Sequence, residues 1–144
     1  MVEQYLNNRL IVLYIFPFLL GLLTVFSFQP FNYSILNFFI LPLFFYLIVF
    51  IKKKSKSTYR KKPYRKNLFI FGTIFGFSFF LSNIHWITNS LTFDENFRIL
   101  IPFGLILIPL FLSLFFSLIT IMVGPVLSLN LPSIIIFSAS LALS

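Results

Sequence analysis

The sequence predicts an all-α protein, a polytopic bundle of transmembrane helices with four full spans and a truncated fifth. Three observations carry this. Apolar residues make up 59% of the chain and charged residues 10%, with a mean hydropathy of +1.01, well beyond what a soluble domain of this size carries. Four uncharged intervals each supply the roughly 20 residues that a helix needs to cross about 30 Å of hydrocarbon. Nine of the eleven basic residues are gathered in the block 52–66, between stretches almost empty of charge.

The first span is expected over about 10–28. Arg9 before an apolar run invites comparison with a cleaved signal peptide. The run is longer than the usual stretch of about 7 to 15 residues and no Ala-x-Ala-like site follows, so the span is read as retained. Pro30 fixes its own backbone and pushes Gln29 away from helix, which sets a tight turn over 27–32. The second span is expected over 33–51, the third over 68–91 and the fourth over 99–127. Pro17 and Pro42 fall inside the first two and free carbonyls that neighbours or water must satisfy. Pro102 sits near the start of the fourth, where a lost N–H matters little, Pro109 further in, where it bends the helix, and Gly124-Pro125 ends it. A fifth segment begins near Pro132 and offers only about 13 residues, so it would stop in mid-bilayer with its last carbonyls unpaired. Residues 1–144 are therefore expected to be an N-terminal transmembrane region cut short. An interfacial helix is disfavoured because the segment lacks a charged face.

Short loops rich in Lys and Arg stay in the cytoplasm. The 52–66 loop is thus expected inside, with the N-terminus and Arg9 beside it, while the 27–32 turn and the loop bearing Asp94 and Glu95 face the other side. A net charge of +8 could suggest a nucleic-acid partner, but its confinement to one loop predicts an anchor at anionic lipid headgroups and no nucleic acid. The 23 Phe residues are explained by a coding bias toward A and T, which hydrocarbon tolerates.

Two stripes of small residues predict helix packing. Gly72, Gly76, Asn83 and Ser90 fall on one side of the third span, and Gly72-Thr-Ile-Phe-Gly76 is a G-x-x-x-G that admits a close neighbour. Ser113, Ser117, Thr120 and Gly124 form a matching face on the fourth. Bundle packing is favoured over dimerisation for both.

The polar stretch 82–90 is the candidate site, with Asn83, His85 and Trp86 as candidate substrate-binding residues. Trp86 lies about 27 Å along the helix from Leu68, at the interface that indole rings prefer. His85 is the sole histidine, and Asp94 and Glu95 are the only carboxylates beyond Glu3. A metal site needs several convergent ligands and acid–base chemistry a positioned partner, so no metal, no cofactor and no catalytic residue are predicted. Without cysteine there is no disulfide and no thiolate nucleophile.

The order of these features resembles the bacterial apolipoprotein N-acyltransferases. Two segments carry the likeness: Val25-Phe-Ser-Phe-Gln-Pro-Phe-Asn-Tyr33, similar to the family's first-helix exit, and Phe69 to Leu91, similar to its glycine- and phenylalanine-rich helix ending in Trp, a short gap and Ser-Leu. His85 departs from the pattern, which has Tyr or Asn before the Trp. The resemblance covers roughly 10–126. It implies an enzyme of the bacterial inner membrane that moves an acyl chain from a phospholipid donor to the N-terminal amino group of a diacylglyceryl lipoprotein. It also implies that the Glu, Lys and Cys which do so belong to a nitrilase-like domain absent from this chain, leaving the chain inactive alone. The alternative is a small non-enzymatic membrane protein, such as a transporter subunit or assembly factor.

Overall fold

In the computed structural model the described residues are 10–28, 31–55, 62–84 and 101–142. They form five α-helices: α1, Phe16–Val25; α2, Asn37–Lys54; α3, Pro63–Ile84; α4, Ile101–Val123; and α5, Leu131–Ala142. A π-helical turn, Ile11–Ile15, leads into α1, and a 3-10 turn, Ser34–Leu36, leads into α2.

The all-α class stands, but the expected four full spans and truncated fifth do not. Among the described residues only two helices, Ser34–Lys54 and Ile101–Val123, with 21 and 23 residues, are long and apolar enough to cross a membrane. The first interval yields a shorter apolar helix, Ile11–Val25. Pro17 has no N–H to give, and the turn ahead of it widens so that Phe16 N–H reaches Ile11 O. Beyond Val25 the chain turns back, with Tyr33 N–H donating to Phe26 O at 2.9 Å and Asn32 at φ 55°, a left-handed conformation that asparagine tolerates. The third interval gives α3, which starts earlier than expected because Pro63 suits a first helical position. Arg65, Lys66 and Asn67 thereby enter its first turns and lower its apolar character, and residues 85–91 lie outside the described part. The last helix has 12 residues.

α3 is the hub of the bundle. Phe44 of α2 is fully buried and lies 5.2 Å from Phe71 and 4.3 Å from Phe75 of α3, and 5.9 Å from Phe137 of α5. Phe75 continues the chain of rings to Phe116 of α4 at 5.2 Å. On another side Gly21 of α1 lies against α3, where a Cβ would stand 2.5 Å from Phe75 O and would collide with Ser78 Oγ.

The closest contact joins α3 to α4 through the two predicted stripes. A Cβ on Gly72 would lie 2.8 Å from Phe116 O and 2.9 Å from Ser117 Cα, and one on Gly76 would lie 2.9 Å from Ser113 Cα. Hydroxyls fill the seam. Thr120 Oγ1 is 2.9 Å from both Leu68 O and Ser117 O, so its one proton serves either. Thr73 Oγ1 and Ser117 Oγ are 2.6 Å apart, with Phe69 O and Ser113 O at the ends of the same chain, and their two protons fill two of its three contacts in either direction.

Thr120 near the end of α4 meets Leu68 near the start of α3, so these helices are antiparallel. The end of α2, the start of α3, the end of α4 and the start of α5 therefore share one end of the molecule, the basic end. Asn67 Nδ2 donates to Ser55 Oγ at 2.7 Å across the base of the basic loop. Lys52 Nζ donates to Leu127 O at 2.9 Å, placing a cation beyond the carbonyl end of α4. Asn130 caps α5, its Oδ1 accepting from Ser133 N–H at 3.3 Å.

The seam predicts its own sensitivity. Gly72→Leu should overpack it and lower stability by about 1–3 kcal/mol. Thr120→Val, which keeps the shape and removes the interhelical bond, should cost roughly 0.6–1.7 kcal/mol. Thermal unfolding of the purified chain in detergent checks both, and unchanged stability of Gly72→Leu would contradict the packing described.

Candidate functional site

The end of α3 away from the basic loop is where the candidate residues cluster in sequence. Phe79 organises it. Its ring is 5.8 Å from Phe28, 5.1 Å from Phe80 and 5.9 Å from Phe116, and it stacks on Phe75 at 6.5 Å with 2° between planes. Helical spacing sets Asn83 one turn beyond Phe79, and Asn83 Nδ2 donates to Phe79 O at 2.9 Å. The amide is half-buried and partly engaged by its own helix. His85 and Trp86, with Asp94 and Glu95, lie outside the described residues. Of the three candidates the structure thus places Asn83 alone, above an aromatic floor contributed by α3, α4 and the turn after α1.

Sequence reasoning missed two polar atoms near this level of the chain. Ser27 is 6% exposed and its Oγ has no partner among the described residues, and Asn37 Oδ1 is likewise buried and unpaired among them. Both flank the α1–α2 turn. The available signal was a polar residue at each edge of a turn between apolar segments, which tells nothing of burial. The Phe79 cluster was also hidden, since a composition-level account of phenylalanine does not say which rings meet.

The chemistry open to the described residues is narrow. They contain no carboxylate, imidazole or thiol, because Glu3, His85, Asp94 and Glu95 fall outside them and the chain has no cysteine. They include no group of three metal-ligating side chains. Hydroxyls and amides can hold a polar group but cannot by themselves supply a nucleophile activated by a base.

Side-chain placement on α4 is inverted relative to a soluble helix. Ser113 and Ser117 are 0% exposed and Thr120 is 1%, while Phe111 is 66% exposed and Met122 73%. Water would reward the opposite arrangement, and hydrocarbon rewards this one. The class defined by fold and site is a membrane-associated helical domain with an aromatic, polar-tipped end. The chain belongs to the family of the apolipoprotein N-acyltransferase N-terminal domain, whose model matches residues 20–144. Searches of curated proteins and of solved structures found no match.

Ser27→Ala removes a buried hydroxyl that has no bond to lose among the described residues, so it should leave stability unchanged or raise it by up to about 1 kcal/mol. Thermal unfolding in detergent measures this, and a clear fall would mean that Ser27 Oγ does have a partner.

Proposed function

We propose that this chain is the N-terminal membrane portion of an apolipoprotein N-acyltransferase. The enzyme takes a fatty acyl chain from a membrane phospholipid and adds it to the amino group of the lipidated N-terminal cysteine of a lipoprotein. The family match over 20–144 carries this reading. The reaction balances without a cofactor: the glycerol ester breaks, an amide forms, and the amine proton ends on the released lysophospholipid hydroxyl. The catalytic Glu, Lys and Cys are assigned to a nitrilase-like domain outside these residues, in keeping with a chain that has no cysteine.

The role left to the helices is mechanical. Both substrates keep their tails in the bilayer and their reacting ends at its surface, so the catalytic domain must be held at that height. The rigid α3–α4 seam suits this task, because it lets little relative movement reach the tip of α3. Asn83, His85 and Trp86 are assigned to contact a lipid headgroup or the polar end of an acyl chain there. By its charge the 52–66 loop is cytoplasmic, in the bacterial inner membrane.

Two measurements test this. In the full-length enzyme, Trp86→Ala should cut lipoprotein acylation several-fold at unchanged expression, and normal turnover would reduce Trp86 to an anchor. In intact cells, Ser57→Cys should resist labelling by an impermeant maleimide until the membrane is opened; labelling from outside would reverse the orientation.

A further inference from the structure

The turn after α1 and the first turns of α2 expose a cluster of large apolar side chains: Phe31, Tyr33, Ile35, Phe38 and Phe39. Phe38 and Phe39, although inside a helix, are 79% and 72% exposed, so no described element packs over them. At about 100° per residue, Leu41, Phe38, Phe39 and Leu43 follow one another around roughly 200° of the circumference of α2, and all four are exposed. One flat protein partner covers far less of a helix than that, whereas lipid surrounds it. Lys52, Lys53 and Lys54 occupy the last turn of the same helix. From Ser34 to Lys54 the 21 residues span about 30 Å, the thickness of a hydrocarbon core, so lysines at one interface put Tyr33 at the other. Between its rings the turn is polar. Asn32 and Ser34 are exposed, and the start of α2 has no side-chain cap, so its first N–H groups need oxygen partners that hydrocarbon does not offer. The rings are held in place by the backbone, with Asn32 N–H donating to Phe28 O and Tyr33 N–H to Phe26 O, both at 2.9 Å. No charged residue occurs from Leu10 to Ile51.

We propose that Phe31, Tyr33, Phe38 and Phe39 form a neutral aromatic anchor, seated at the boundary between headgroups and acyl chains in the leaflet opposite the basic end. Its partner is the ester and headgroup layer of a phospholipid bilayer, whatever the charge of that layer. Water would leave the rings uncovered, and the bilayer centre would leave the uncapped N–H groups, Asn32 and Ser34 without partners. The boundary layer answers both, with upper acyl chains for the rings and lipid oxygens for the polar atoms. The depth of α2 is then fixed from its two ends, by charge at one and by rings at the other. This inference rests on the membrane setting of the helices and does not depend on the acyltransferase reading.

Trp86 is the only tryptophan, so Trp86→Phe provides a background in which a single indole reports depth. The full chain carrying Tyr33→Trp or Phe38→Trp is reconstituted in phosphatidylcholine vesicles whose acyl chains bear bromine near either the glycerol end or the methyl end. The indole of Tyr33→Trp should be quenched roughly twofold more by the glycerol-end bromine, and that of Phe38→Trp, about 7 Å further along, should shift toward the methyl-end bromine. Phosphatidylglycerol or high salt should change neither depth, because no charge holds this end. Phe38→Ser combined with Phe39→Ser should raise acrylamide quenching of the Tyr33→Trp indole several-fold, and both side chains are exposed, so the core is spared. The depth comparison uses neither serine, so it stands even if that variant fails to fold. Quenching by acrylamide alone would put the turn in water, and strongest quenching of Tyr33→Trp from the methyl end would put it in hydrocarbon. No quenching by lipid or acrylamide would mean that a protein partner covers the rings. Each of these overturns the proposal, as does a depth that moves with salt or an unchanged probe in the folded double-serine variant.

Discussion

The close approach of α3 to α4 is the constraint on which the rest of the structure depends. Between helices bathed in hydrocarbon, burying another leucine gains little, because lipid is as apolar as the side chain it replaces. What remains is dispersion between backbones brought close together and hydrogen bonds that lipid cannot offer. Gly72 and Gly76 permit the first, and Thr73, Ser117 and Thr120 provide the second. The hydroxyls also bond to carbonyls of their own helix, so none is stranded in the seam, and the large apolar side chains of α4 are left to face outward.

Once that seam is made, α3 has one side committed to α4, and its other sides receive α1 at Gly21 and α2 at Phe44. Enclosure explains why the most polar of the long helices is the central one. Thr73, Ser78 and Asn83 each bond to a carbonyl three or four residues earlier, which replaces the water that such residues would otherwise need, and Thr73 also meets Ser117 of α4.

Much of this was legible in the sequence. The packing stripes were visible because small residues at spacings of three and four have one geometric meaning on a helix, and Gly72 and Gly76 meet Ser113, Ser117 and Thr120 as that spacing requires. The end of α4 at Gly124 and the turn after α1 were readable from glycine and proline for the same reason. The number of spans was misread because counting uncharged residues takes each interval as one helix, whereas the first yields only Ile11–Val25 and the third is described only as far as Ile84. At the candidate site only Asn83 can be compared. Its position above Phe79 follows from helical spacing, but the burial of Ser27 and Asn37 depends on how a turn folds back, which no local pattern encodes.

The two ends of the bundle divide the labour that its sequence implies. At the basic end charge is concentrated and used, with Lys52 holding Leu127 O and Lys54 lying 5.2 Å from the Phe50 ring. Long side chains can keep apolar stems against the protein while their heads reach the interface, so this end resists sinking into hydrocarbon. At the other end the described residues carry no charge, and Phe79 with its neighbours forms a floor beneath Asn83. An aromatic floor tipped with an amide can meet both apolar chains and the polar atoms just above them. Among the described residues that asymmetry follows from the side chains on α2, α3 and α4.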